Sequence, residues 1–326
     1  MTTDPMNTET GSQHQDHARD RWASWLLEKR FGGDAGQRER TLAYLADVRE
    51  EVLRRAQIRP GDTLLDVGCG DGLIGFGAAD LVGPSGHVVL SDISADLLAV
   101  CREIAAAMRA TSVGTDNQRF SFVQTGLPAL DAIDSQSVDV ATTRSVLIYV
   151  ADIAASFAAL HRVLRPGGRL SIFEPINRFG VDDRPNRLWG WGFDMTGMES
   201  IAAKVRAQHD TYDLGTMLGF DERDLIREAE AAGFVDIRMT YQAEITRQHD
   251  NTHGSDTRGR DTRSEYTVES LLAMAPNPLV PTLGEVVSAA LEPAEEAAFR
   301  ERIARELAAG RREIRLATTY LSAHRA

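Results

Sequence analysis

The sequence predicts an α/β fold in which a mostly parallel sheet carries helices on both faces. Three observations support this. From about residue 59 onward, short β-rich apolar runs alternate with segments of helical periodicity, the pattern of strands joined by crossover helices. The stretch LLDVGCGDG, Leu64 to Gly72, ends an apolar run in an acid and then places three glycines within five residues. That is a strand entering a tight turn whose backbone passes close to something. Further on, RPGG stops a helical stretch immediately before the apolar run RLSIFEP.

The elements follow in order. Residues 1–17 are polar and read as a disordered tail. Residues 18–58 read as an N-terminal helical lid: Trp22, Trp25, Leu26 and Phe31 recur at helical spacing, and Leu42, Leu45, Val48 and Val52 share one face of a second helix. A first strand is expected at Thr63 to Val67, followed by the glycine turn and a helix over LIGFGAADLVG. GHVVLSDIS is the second strand, Ala95 to Met108 a helix and Phe120 to Gln124 the third strand. VDVATTRSVLIYV is a strand running into a loop and short helix. Ile153 to Leu164 is a helix, and RLSIFEPIN is the fifth strand.

After Asn177 the rhythm breaks. Residues 178–219, with Trp189, Trp191 and Phe193, have no clean period and read as a cap insertion over the sheet edge. DERDLIREAEAAGF restores a helix and VDIRMTYQAEIT a strand. A second cap insertion covers 248–310: a long polar loop, RQHDNTHGSDTRGRDTRSEYT, suited to a mobile lid, then helices broken at APNPLVPT. EIRLATTYLSAHR is the final strand. Residues 59–326 are thus expected to form one domain with two caps.

Composition narrows the function. Of 326 residues, 43% are hydrophobic and 26% charged, ordinary for a globular protein with a real core. The net charge of -12 argues against broad binding to nucleic-acid phosphates. Two cysteines imply no disulfide framework. No apolar stretch is long enough for a membrane span, and the first residues lack the apolar core of a signal peptide. A cytoplasmic protein with no nucleic-acid or membrane partner is expected, and a homo-oligomer stays open.

The glycine turn speaks to the ligand. Gly68, Gly70 and Gly72 do not match the dinucleotide spacing G-x-G-x-x-G, because the third glycine comes one place too soon. Asp66 beneath the turn suits an ammonium group. Asp92, at the end of the second strand, suits ribose hydroxyls. S-adenosyl-L-methionine offers an ammonium, a carboxylate and a ribose, with no pyrophosphate.

At these residues the chain resembles the class I S-adenosylmethionine-dependent methyltransferases of the small-molecule type. LLDVGCGDG matches their first motif, VVLSDIS their ribose-binding strand end, SVDVATTRSVLIYV their fourth-strand motif and RVLRPGGRLSIFEP their turn into the fifth strand. The resemblance spans about Arg59 to Tyr241. It implies a Rossmann-like seven-stranded sheet and assigns cofactor contacts. Asp66 and the backbone of Gly68, Cys69 and Gly70 would hold the amino-acid end, Asp92 the ribose, and Ile93 the adenine face. Thr125, Gly126 and Leu127 would stand at the adenine edge, where relatives often carry an acid and this chain has QTGL. Arg144 and Ser145 would end the fourth strand beside the cofactor.

Methyl transfer needs alignment and exclusion of water, and a base only where the acceptor must lose a proton. Glu174, in FEPIN, is the first candidate for a base or acceptor anchor. Equally weighted is a carboxylate bonded to loop backbone or to Arg144. Tyr149 is a candidate for capping the cofactor or lining the acceptor pocket, or simply closes the helix after RSVL, and His209, beside Asp210 and Tyr212, is a weaker base candidate. His249 and His253 lack a third fixed ligand, so no metal is expected. Two cysteines do not make the thiolate set that arsenic-methylating relatives use, which argues against arsenite. Trp22, Trp25, Trp189, Trp191 and Phe193 together suggest an apolar acceptor pocket or simple roof packing. Arg178, Arg184 and Arg187 are available to an acidic acceptor or are plain surface bases. The expected function is methyl transfer from S-adenosylmethionine to O, N or C of a small, partly apolar metabolite. The alternatives are a protein methyltransferase and a non-catalytic cofactor-binding regulator.

Overall fold

A computed structural model describes residues 18–111, 119–188, 190–212, 215–247 and 266–326. Seven strands form one sheet in the order β3-β2-β1-β4-β5-β7-β6. They are β1 (Thr63–Val67), β2 (His87–Asp92), β3 (Phe120–Gln124), β4 (Val138–Arg144), β5 (Leu164–Pro175), β6 (Phe234–Arg247) and β7 (Glu313–Arg325). The first five run parallel, while β7 is antiparallel to both β5 and β6. Adjacent residues on a strand serve opposite faces. Leu64 packs with Val52, Ile74 and Leu98 from α2 (Ala35–Ala56), α3 (Leu73–Val82) and α4 (Ala95–Thr111). Leu65 packs with Phe157, Leu160 and Leu225 from α5 (Ile153–Val163) and α7 (Glu222–Ala231). A sheet apolar on both sides has to be covered twice, and these five helices do so.

Two further clusters lie off the sheet. Leu188, Phe193 and Val205 of the first insertion pack on Leu271, Leu283, Phe299 and Ile303 of the second, so the insertions share one cap. The cap's helices are α6 (Glu199–His209), α8 (Val268–Ala273), α9 (Leu283–Ala290) and α10 (Pro293–Ala308). The N-terminal segment, α1 (Arg21–Ser24) continued by a π-turn over Trp25–Lys29, packs Ala23 and Leu26 on Leu97 of α4.

The structure departs from the sequence reading in three places. Helix α6 lies where no period was apparent: its N-cap Met198 makes no side-chain cap bond, and charged residues interrupt its apolar face. β5 begins at Leu164, which pairs with Val138 before Arg169 pairs with Val140, so RPGG bulges out of the strand instead of preceding it. The aromatic residues do not converge on one pocket: Trp22 and Trp25 belong to the N-terminal cluster, Trp191 and Phe193 to the cap. Trp189, the tail at 1–17 and most of the polar loop, 248–265, lie outside the described residues.

Candidate active site

The carboxyl ends of β1, β2 and β4 meet at the glycine turn. Gly68, Gly70 and Gly72 have φ of +64°, +58° and +84°, a region costly for any residue with a Cβ. A Cβ on Gly68 would also fall 2.4 Å from Val146 Cγ2. Beneath the turn, Asp66 is buried and both its oxygens are engaged. Oδ2 accepts the Gly75 N–H at 2.8 Å, and Oδ1 accepts the Thr142 hydroxyl at 3.1 Å. Burial pushes its carboxyl up to about 7 against those bonds. Asp92 links two loops: Oδ2 accepts from Gly70 N–H and Oδ1 from Ser94 N–H, each at 2.9 Å. Burial raises its carboxyl as well. The thiols of Cys69 and Cys101 are both buried and both point to the Gly70 carbonyl, at 3.8 and 3.3 Å.

Past Asp92 the chain opens to solvent at Ile93, which is 51% exposed. Thr125 N–H donates to the Asp92 carbonyl at 3.1 Å. A Cβ on Gly126 would sit 2.7 Å from Ile93 Cγ2. Residues 92–93 and 125–127 therefore form one wall, an apolar plate beside a glycine edge. The wall and the turn make a cradle whose residues fit S-adenosylmethionine: an acid for ribose hydroxyls, a plate for a flat base and bare backbone for an amino-acid end.

The end of β4 forms a second group. Ser145, at φ +55°, donates its N–H to the Phe173 carbonyl at 2.8 Å. The next three N–H groups, of Val146, Leu147 and Ile148, all donate to Glu174, at 2.8, 3.0 and 3.4 Å. Glu174 is fully buried, and burial lifts its carboxyl to about 7 despite those donors. Its carboxylate thus has the loop-bonded geometry. Tyr149 stands edge-on to Trp22 at 5.0 Å, and burial raises its phenol. Arg144 shares its surroundings with Arg30, whose guanidinium is held down to about 10 by burial and by Arg144. His209 belongs to the cap, at the end of α6, with Nδ1 3.9 Å from Asp210, and burial lowers its imidazole. It is apart from the Tyr149 and Glu174 group in the fold.

The N-terminal segment covers the turn. Asp20 accepts the Ser94 hydroxyl at 2.6 Å, next to Asp92, and Leu26 Cδ2 lies 3.2 Å from where a Gly70 Cβ would be. Neither Asp20 nor Arg30 stands out in the sequence. The one available signal is that Asp20 caps α1, accepting from Trp22 and Ala23 N–H.

A cavity of about 680 Å³ extends from Arg144, Ser145 and Phe173 at the strand ends to His209 and Leu188 in the cap. A second, of about 750 Å³, lies within the cap against Trp191, Leu283 and Val286. Asp182, Leu188, His209 and Leu218 line both.

The strand order, the glycine turn above a buried acid and the acid ending β2 define an α/β enzyme that binds a ribose-bearing cofactor across its strand ends. Comparison with known proteins names the class. A family described as "Methyltransferase domain" matches residues 58–209. The chain is 32% identical to the nocamycin O-methyltransferase of Saccharothrix syringae over 206 residues, 61% of this chain and 68% of that protein. It is 35% identical to an arsenite methyltransferase of Halobacterium salinarum over 184 residues, covering 55% of this chain and 42% of that one. Among solved structures, the phosphoethanolamine N-methyltransferase 2 of Haemonchus contortus in complex with S-adenosyl-L-methionine aligns with a TM-score of 0.48 at 14% identity, over 86% of this chain and 52% of that chain. The chain belongs to the class I S-adenosylmethionine-dependent methyltransferases, and S-adenosyl-L-methionine is its cofactor. Among the described residues no helix is long and apolar enough to cross a membrane.

Proposed function

We propose that the protein methylates O, N or C of a small, partly apolar organic acceptor held in the cavity between the strand ends and the cap. The observation that carries this reading is the cavity itself. At about 680 Å³ it has the size of a small-molecule site, and its walls come from strand ends, α2 and both insertions. Asp92 holds the ribose, Ile93 and residues 125–127 enclose the adenine, and the backbone of Gly68, Cys69 and Gly70 with Arg144 and Ser145 receives the amino-acid end. Asp66 acts one step back, fixing the start of α3 and the end of β4 around that turn. The bound cofactor supplies a methyl group on a sulfonium, already a strong electrophile. The residues of this chain therefore align the acceptor and keep water out.

Glu174 braces the loop after β4, because three backbone donors occupy its carboxylate. Tyr149 and Trp22 close the roof. His209, whose imidazole burial lowers and which lines both cavities, is the candidate to take a proton from an acceptor that must lose one. Cys69 is buried within the glycine turn and Cys101 is buried on α4, which supports an organic acceptor over arsenite and fits a reducing cytoplasm. Incubation with methyl-labelled S-adenosylmethionine and either a small-molecule or a protein extract tests the reading. Label entering the small-molecule fraction is expected. Label confined to protein overturns it.

A further inference from the structure

The protein carries 48 acidic residues against 36 basic ones, yet six arginines and only three carboxylates line the cavity at the strand ends. Two of those carboxylates are spent inside the wall. Asp182 accepts from Arg184, which stands outside the lining, at 2.7 Å. Glu313, at the start of β7, is almost fully buried and is shared among Arg184, Arg187 and Arg315. Arg187 and Arg315 reach it only at 3.9 Å, and the Nε of each is buried with no partner among the described residues.

Arg312 adds a third cation on the same wall. Its guanidinium lies 5.0 Å from the Phe193 ring and 5.2 Å from the Tyr266 ring, and its Nε donates to the Trp191 carbonyl at 3.1 Å. No acid pairs with it among the described residues. S-adenosylmethionine does not cancel the surplus, since its carboxylate is outweighed by an ammonium and a sulfonium. Guanidiniums held at 3.9 Å from a shared carboxylate have room for a second oxyanion, which they would engage at about 2.7–2.9 Å.

The patch is also displaced from the methyl-transfer end. Glu174 pairs with Thr319 across the β5–β7 ladder, and the Ile176 N–H reaches the Ala317 carbonyl. Arg315 lies four residues beyond Thr319. At about 3.3 Å per residue it stands roughly 13 Å past the level of Glu174.

We propose that the acceptor carries an oxyanion, a carboxylate or phosphate group, held by Arg187 and Arg315 with Arg312 beside them, on the order of 10 Å from the atom methylated. The assignment rests on the small-molecule reading above and names the acceptor's class. The group is a handle: it fixes the register of an elongated acceptor whose other end meets the cofactor.

The test titrates four probes into the full chain saturated with S-adenosylhomocysteine: phenylhexanoate, its amide, phenylhexylamine and phenylhexyl phosphate. One or both oxyanions are expected to bind at least about tenfold tighter than the amide, with the amine weakest. The tighter of the two identifies the head group. Arg187→Gln and Arg315→Gln each remove that preference while leaving amide and S-adenosylhomocysteine affinities unchanged. Glu313→Gln, which deletes the competing carboxylate, tightens oxyanion binding several-fold, whereas a purely structural ion network would not be tightened. Equal binding of amide and oxyanions, no binding of any probe to the saturated protein, or indifference to both arginine substitutions overturns the proposal alone. Failure to bind S-adenosylhomocysteine overturns the cofactor-site reading along with it.

Discussion

Trp25 donates its indole N–H to the carbonyl of Ala275 at 2.9 Å, across 250 residues of sequence, and the Ala275 N–H returns a bond to the Lys29 carbonyl at 3.2 Å. The N-terminal segment over the glycine turn is thereby stitched to the end of α8 in the cap. If the segment gates the cradle, release of the cofactor is expected to require that stitch to give way.

Trp25→Phe keeps most of the ring and deletes the indole bond. A hydrogen bond of this kind contributes about 0.5–1.5 kcal/mol, so S-adenosylhomocysteine should bind about 2–10-fold more weakly. The loss should appear in the dissociation rate measured by stopped flow. An unchanged dissociation rate would show that the segment does not gate the site.

Glu174→Gln should cost about 1–3 kcal/mol of stability, because an amide nitrogen faces a backbone donor where a carboxylate oxygen accepted. Turnover should stay within about tenfold of the parent, short of the ~10²–10⁴-fold loss of a general base. Chemical denaturation and steady-state kinetics on one preparation separate the two roles.

The same carboxylate gives stability a pH dependence of known sign. Its folded value, about 7, lies above the unfolded value near 4.3, so the folded state holds the extra proton between them. The stabilisation is complete below about pH 4 and fades as pH rises through 7. Asp66, also raised to about 7, behaves alike. Stability of the parent relative to Glu174→Gln should therefore decline from pH 5 to pH 8. A difference that grows with pH would contradict the buried geometry.

Gly68→Ala meets two separate obstacles, a positive φ and Val146 Cγ2 at 2.4 Å. The backbone cost is about 1–2 kcal/mol, with the steric cost added. Combining it with Val146→Ala removes the steric part only. The double variant should recover some stability in thermal melts without reaching the Val146→Ala parent, and simple additivity would show that the two residues do not touch.

Asp92→Ala should weaken cofactor binding by about 1.5–3 kcal/mol. Since burial raises the Asp92 carboxyl, parent affinity should fall on acidification at a pH above that of an ordinary aspartate, and the variant should be flat there. Calorimetric titrations at several pH values decide it.

The cradle at the strand ends is legible in the sequence because it is local: LLDVGCGDG, SDIS and QTGL each lie within a few residues of a strand end. The sheet is legible for the same reason, strand by strand. The convergence of the arginine wall at the start of β7 is not. Arg187, Arg312 and Arg315 come together through the crossing of an insertion with the start of β7, and Trp25 meets Ala275 through the lid, neither of which any period announces. Glu174 falls between these cases. FEPIN places it at a strand end, but only the path of Val146 to Ile148 shows that three N–H groups converge on it.

The placement of β7 between β5 and β6 has a consequence for how the protein is made. β6 emerges from the ribosome well before the strand that must separate it from β5, so it has no place in the sheet until β7 is synthesised. Five parallel strands and the cofactor cradle can assemble during translation, while Glu313, Arg315 and the wall they build wait for the final turnaround of the chain. A nascent chain stalled before β7 should already retain S-adenosylhomocysteine, yet have no cavity in which to recognise an acceptor.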